Sequence, residues 1–278
     1  LLAGSYSIMV KDANDCLLSA PLYNITEPLT VLTAGLSLSN LLCFEDTGTI
    51  LLTVNGGTPN YSFLWNNGAV TQNLHGIDAG NYSVTILDAN HCELIENINI
   101  SAPNEITVLV NTITDLLCFE DGTGSIDITI NGGIPVYSVL WNNGSITSDI
   151  NNLSAGTYEI TVTDNNACQY VESFIVEEPA LLEVSYLETH VDCFGNSTGG
   201  INVTVSGGIP QYSFDWSNLT SNEDLQNIPI GTYDVTITDA NNCTVYASVN
   251  INEPSDIIYS VTIIDLVCNN IAEGEISI

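Results

Sequence analysis

The sequence predicts an all-β chain: a tandem array of small immunoglobulin-like or fibronectin-like antiparallel β-sandwiches, strung into an extended filament. Three observations predict it. Rare residues recur at a fixed period of about 75 residues. Apolar residues alternate at period two in short runs between turn residues. No segment carries a helical period.

The period is set by many independent markers. Cys43, Cys118, Cys193 and Cys268 form one series, and Cys16, Cys92, Cys168 and Cys243 a second. Trp65, Trp141 and Trp216 keep the same beat, as do Tyr61, Tyr137 and Tyr212, and Tyr82, Tyr158 and Tyr233. Gly-Gly pairs recur at 56–57, 132–133 and 207–208, and a proline closes each unit at Pro28, Pro103, Pro179 and Pro254. The expected organisation is the C-terminal part of one repeat (1–28), full repeats at 29–103, 104–179 and 180–254, and the N-terminal part of another (255–278). Leu1 falls in mid-pattern, so the chain reads as a segment of something longer.

Within the second full unit the elements follow in order. Ile106–Val110, Ile126–Ile130, Tyr137–Trp141, Tyr158–Val162 and Tyr170–Val176 are rich in β-branched and aromatic residues and read as strands. Asp121-Gly122, Gly132-Gly133, Asn142-Asn143-Gly144, Ala155-Gly156 and Asp164-Asn165-Asn166 read as the turns between them. Leu153-Ser-Ala-Gly-Thr-Tyr158 resembles the corner of such sandwiches, where a Leu ends one strand and a Tyr opens the next, its hydroxyl bonding back. Leu74 with Tyr82, and Ile228 with Tyr233, are expected to repeat it. The three Trp and the Tyr82, Tyr158 and Tyr233 series are the expected core.

Composition narrows the function classes. The chain has 278 residues, 33 Asp plus Glu and a single Lys or Arg, for a formal net charge of −32. No basic stripe for nucleic acid or anionic lipid can be built from that. At 45% hydrophobic residues the chain has the means to fold despite its acidity. No run reaches the ~18 apolar residues of a membrane helix, so no membrane insertion is expected in this segment.

The stretches Val-Asp-Cys193-Phe-Gly-Asn-Ser-Thr-Gly-Gly, Val-Ser-Gly-Gly-Ile-Pro-Gln-Tyr212-Ser-Phe-Asp-Trp216 and Gly231-Thr-Tyr-Asp-Val-Thr-Ile-Thr-Asp-Ala-Asn-Asn-Cys243 resemble the SprB-repeat family. The resemblance spans essentially the whole chain. It implies an extracellular, outer-membrane-attached location, export by the type IX system, and a role with gliding or secretion machinery in surface adhesion.

That setting favours disulfides over metal for the eight cysteines, since their neighbours lie too far apart in sequence for zinc pairs. In an immunoglobulin-like sandwich Cys118 falls at the far pole and Cys168 at the near pole, ~25 Å apart at strand rise, whereas a disulfide needs Cα atoms within about 7 Å. End-to-end stacking sets Cys43 beside Cys168 and Cys118 beside Cys243. These inter-repeat bridges are the favoured expectation, with Cys16, Cys92, Cys193 and Cys268 pairing outside the segment. The alternative pairs Cys43–Cys92, Cys118–Cys168 and Cys193–Cys243 within repeats.

No cofactor is expected, with calcium as the one metal candidate, at Glu45, Asp46, Glu120, Asp121, Asp164 and Asp239. The competing reading of the hairpin aspartates is that each caps its own turn. His75, His91 and His190 occupy non-equivalent repeat positions, and no nucleophile–base–orienter set is present. Phe63, Phe214 and the tyrosines offer a weak glycan-binding face, although their alternation with Trp and Val suggests core. The leading functional expectation is a non-enzymatic adhesin stalk whose partners are the neighbouring repeats, with an external surface or glycan reached through a tip elsewhere. The alternatives are a multivalent glycan- or surface-binding array and accessory repeats of a secreted hydrolase.

Overall fold

The computed structural model describes residues 1–27, 30–39, 41–264 and 275–277. Every regular element among them is a strand. At the N-terminus β1 (Gly4–Tyr6) pairs with β4 (Tyr23–Ile25), and β2 (Met9–Lys11) with β3 (Leu17–Ser19). The first full repeat supplies β5 (Thr33–Leu38), β6 (Gly48–Asn55), β7 (Ser62–Trp65), β8 (Leu74–Ile77), β9 (Gly80–Leu87) and β10 (Glu93–Ile100). The second supplies β11 (Thr107–Thr114), β12 (Gly124–Asn131), β13 (Ser138–Trp141), β14 (Ile150–Leu153), β15 (Gly156–Thr163) and β16 (Gln169–Val176). The third supplies β17 (Glu183–Thr189), β18 (Gly199–Ser206), β19 (Ser213–Trp216), β20 (Leu225–Ile228), β21 (Gly231–Thr238) and β22 (Thr244–Ile251). A last pair joins β23 (Thr262–Ile264) to β24 (Glu275–Ser277).

Each full repeat builds two three-stranded sheets. The strand orders are β5-β6-β8 with β7-β9-β10, β11-β12-β14 with β13-β15-β16, and β17-β18-β20 with β19-β21-β22. This is the A-B-E and C-F-G pairing of an immunoglobulin-like sandwich without a D strand. The pleat alternation is clean. Ile50 and Leu52 point inward while Leu51 is exposed, and Ile201 and Val203 point inward around the exposed Asn202.

To the five strands expected from alternation the structure adds the one per repeat that the corner implies, ending at Leu153 in the second repeat. Strand β14, Ile-Asn-Asn-Leu, buries only its two ends, so it carries no period-two signal. Its counterpart β8 also corrects the corner assignment: Leu74 opens that strand and Ile77 closes it, so Ile77 is the equivalent of Leu153 and Ile228.

The chain divides into two compact units. One comprises Leu1–Leu109, Thr129–Ile146 and Ile160–Glu172; the other comprises Val110–Ile128, Thr147–Glu159 and Ser173–Ile278. The division runs through the second repeat. In the first unit Leu41, Ile50, Leu52, Trp65, Leu74, Ile77, Val84, Ile86, Ile98 and Ile100 form one core. In the second unit Val191, Ile201, Val203, Trp216, Val235, Ile237, Val249 and Ile251 belong to another.

Candidate functional site

The residues that carry the chemistry gather at the tip of the hairpin between the last two strands of a repeat. The tip reads Asp-x-Asn-x-Cys four times: Asp12–Cys16, Asp88–Cys92, Asp164–Cys168 and Asp239–Cys243. One carboxylate organises each. Asp164 Oδ1 accepts the N–H groups of Asn166 (2.8 Å) and Cys168 (2.9 Å), and its Oδ2 accepts the N–H of Ile134 (2.8 Å). Asp88 does the same with Asn90, Cys92 and Thr58, and Asp239 with Asn241, Cys243 and Ile209. The aspartate therefore caps its own turn and also ties that turn to the Gly-Gly turn 30 residues upstream.

These aspartates are only 4–5% exposed, yet they stay ionised. Burial pushes the Asp164 and Asp239 carboxyls up, but in each the three N–H donors outweigh it and hold the carboxyl below its ordinary value. In Asp88 the Thr58 N–H is the largest influence, and the net shift is again downward. The residue before each Cys adopts a left-handed conformation, with φ of +65° at Asp15, +63° at His91, +66° at Ala167 and +67° at Asn242. His91 is thus a turn residue.

The tip meets a complementary seat, the loop after the first strand of the preceding repeat. Cys43 and Cys168 are joined by a disulfide, with Cα atoms 5.6 Å apart, and Cys118 and Cys243 by another at the same 5.6 Å. Each bridge spans 125 residues of sequence and connects successive repeats. Beside each bridge the tip asparagine crosses to the same neighbour: Asn166 Nδ2 donates to the Leu42 carbonyl (3.0 Å), and Asn241 Nδ2 to the Leu117 carbonyl (2.9 Å). The seat is held by its own carboxylate. Asp46 Oδ2 accepts from the Leu42 and Cys43 N–H groups, and Asp121 Oδ2 from the Cys118 N–H.

Cys16, Cys92 and Cys193 are free and exposed, and Cys268 lies outside the described residues, as does Pro28. Trp65, Trp141 and Trp216 are buried to 1–2% exposure. The corner tyrosines bond back as their position implies, Tyr82 to the Asp78 carbonyl, Tyr158 to Ser154 and Tyr233 to Pro229. Tyr233 is buried, while Tyr82 and Tyr158 are half-buried. Phe63 and Phe214 are half-buried and pack against the cores of their repeats.

A cavity of about 180 Å³ opens beside the Cys43–Cys168 bridge, lined among others by Phe44, Glu45, Glu105, Ile106, Asp164 and Tyr170. It brings Glu45 and Asp164 together, but the Asp164 oxygens are already engaged by backbone donors. Asp46, Asp121 and Asp239 are engaged in the same way. Among the described residues no group of three or more Cys, His, Asp or Glu side chains is gathered to hold a metal ion.

The SprB repeat family model matches at residues 36–70, 110–146 and 189–221. Each match starts on the first strand of a full repeat and includes the seat cysteine and the Gly-Gly turn. No curated protein sequence matches the chain. Among solved structures, the three N-terminal domains of the bacteriophage RB49 highly immunogenic outer capsid protein match at 15% identity over 81% of this chain and 100% of that one, with a TM-score of 0.36. Sidekick-1 immunoglobulin domains 1–5 match at 14% identity over 90% and 66% of the two chains, with a TM-score of 0.35. The N-terminal eight immunoglobulin domains of Down syndrome cell adhesion molecule match at 11% identity over 90% and 43%, with a TM-score of 0.43.

Proposed function

SprB repeats stand at three places in this chain, and from that premise we propose that it is a non-enzymatic, load-bearing stalk segment of a bacterial cell-surface adhesin. The observation that carries the reading is that both bridges join one repeat to the next. Consider a pull applied between Cys43 and Cys243. The shortest covalent route crosses from Cys43 to Cys168, runs backwards through the second repeat to Cys118, and crosses to Cys243. That route holds about 50 residues in place of about 200, so the fully extended span falls from ~700 Å to ~180 Å. Neither inter-repeat linker lies on it.

The reading brings with it an extracellular location, export by the type IX system, and service in adhesion or gliding motility. Support comes from the repeat family and from disulfides, which persist in oxidising surroundings. The reading requires no calcium: Asp46, Asp121, Asp164 and Asp239 at the junctions accept backbone N–H bonds that hold the turns without a cation.

Single-molecule stretching tests it. Protease sites are inserted in both linkers, near Pro103 and Pro179, and cut before pulling. The expected result is one covalent strand that still bears load, extends by no more than ~180 Å between the two outer bridge cysteines, behaves identically with and without a calcium chelator, and separates into three pieces when reductant is added. A chain that parts on cutting, without reductant, would contradict the reading.

A further inference from the structure

The cavity beside the Cys43–Cys168 bridge carries chemistry that the covalent route does not use. Two aromatic side chains line it, Phe44 from the seat and Tyr170 from β16, together with the carboxylates Glu45 and Glu105 and the apolar Pro103 and Ile106. Phe44, Glu45 and Glu105 are all exposed, so the acidic and aromatic groups can be reached from solvent. The Tyr170 hydroxyl donates to Glu172 Oε2 (3.3 Å), which anchors the ring. Burial raises the Tyr170 phenol above its ordinary value, and the charges of Glu172 and then Glu105 raise it further, so the ring stays neutral. Half of this lining recurs and half does not. Phe44 and Glu45 have counterparts in Phe119 and Glu120. Tyr170 stands two residues after the tip cysteine, where Leu94 and Val245 stand in the other full repeats. Glu105 is the residue whose carbonyl lies against Gly132; Val31 holds that place against Gly56, and Leu181 against Gly207. Two positions that are aliphatic in the other full repeats are thus an aromatic and an acid at this cavity.

We propose that this cavity is a binding site for a quaternary ammonium cation of the size of choline. The carboxylates attract a cation. The rings and apolar walls select one with a methylated, weakly hydrated surface, whereas a metal ion needs a shell of oxygen ligands. A dry cavity of about 150 Å³ takes a benzene ring, so a cavity of about 180 Å³ has room for a trimethylammonium head. No side chain of this sequence supplies such a cation: the only lysine or arginine is Lys11, which pairs with Asp15. A net charge of −32 concentrates cations from solution around the chain. Glu45 belongs to the first full repeat and Glu105 to the second, so a cation held between them also offsets like-charge repulsion across this junction. Such binding is independent of whether the array bears load.

The test is a titration of the full chain with choline chloride, followed by NMR, beside a titration with its neutral carbon isostere, in which a tert-butyl group replaces trimethylammonium. The expected result is saturable binding of choline at one site per chain, with the isostere at least about fivefold weaker, since it keeps the apolar contacts and loses the charge. Tyr170→Val installs the residue that the third repeat carries at this place, so the fold tolerates it; it should weaken choline about twofold to thirtyfold, the range of one cation–π contact. Glu105→Gln keeps the shape of the side chain and should weaken choline about twofold to fivefold, as expected of an exposed charge pair, while leaving the isostere unchanged. Binding that does not saturate, equal affinity for the isostere, more than one site per chain, or unchanged binding in either variant would each overturn the proposal. Intact Cys43–Cys168 and Cys118–Cys243 bridges in each variant, read by mass spectrometry, show that the repeats have folded.

Discussion

At the scale of single residues, the tip aspartate carries the most structure per atom. Asp164 satisfies three partly buried backbone donors, and it joins two turns that are remote in sequence. Its folded carboxyl titrates below its unfolded value. The stability it contributes is therefore complete above the unfolded carboxylate value, near pH 4, and is lost as pH falls through the folded one. Asp164→Asn should be less stable than the parent at pH 7, and its urea midpoint should fall less steeply between pH 5 and 2. Parallel pH profiles for the two proteins would mean that the carboxylate is not the group being titrated. Sequence reasoning reached half of this role. The Asx turn is local and so is legible, but the Oδ2 bond to Ile134 is long-range. A signal for it was available: the second glycine of each Gly-Gly pair, Gly57, Gly133 or Gly208, precedes the tip aspartate by the same interval every time.

At the scale of elements, the turn that receives that bond is equally constrained. Gly133 sits at φ +54°, and a Cβ there would meet Ile106 Cγ1 at 2.7 Å and Asp164 Oδ2 at 2.9 Å. Gly57 and Gly208 have the same neighbours in their own repeats, Leu32 with Asp88 and Leu182 with Asp239. Gly133→Ala should cost about 1–3 kcal/mol from the backbone alone, read as a shift in denaturant midpoint; a neutral result would show that the turn tolerates another conformation. Most strands were legible because burial on one face imposes period two on the sequence. Strand β14 was legible only at its end, through the corner at Leu153, because its two central asparagines are both exposed and its pattern is buried only at Ile150 and Leu153. Its extent back to Ile150 is recognised by the β12 ladder it completes, which is a tertiary fact.

At the scale of the whole molecule, the two bridges make overlapping covalent loops, 43–168 and 118–243. Any single peptide bond between Cys43 and Cys243 can be cut without parting the chain. The excess of negative charge acts at the same scale: −32 with one basic residue discourages close bundling and edge-to-edge pairing of like chains. The pairing pattern could be argued from sequence because an immunoglobulin-like order puts the two cysteine series at opposite poles of a repeat. The asparagine that crosses beside each bridge could not, since its partner is a backbone carbonyl that no side chain marks.

The central claim is that sulfur links neighbours and not the ends of one repeat, and a non-reducing peptide map tests it most directly. Trypsin finds only Lys11, whereas cleavage after Glu leaves Cys43, Cys92, Cys118, Cys168, Cys193 and Cys243 in separate peptides. The account predicts that the Cys43 peptide is linked to the peptide of Cys168 and the Cys118 peptide to that of Cys243. A linked pair holding Cys118 and Cys168, or Cys43 and Cys92, would contradict it.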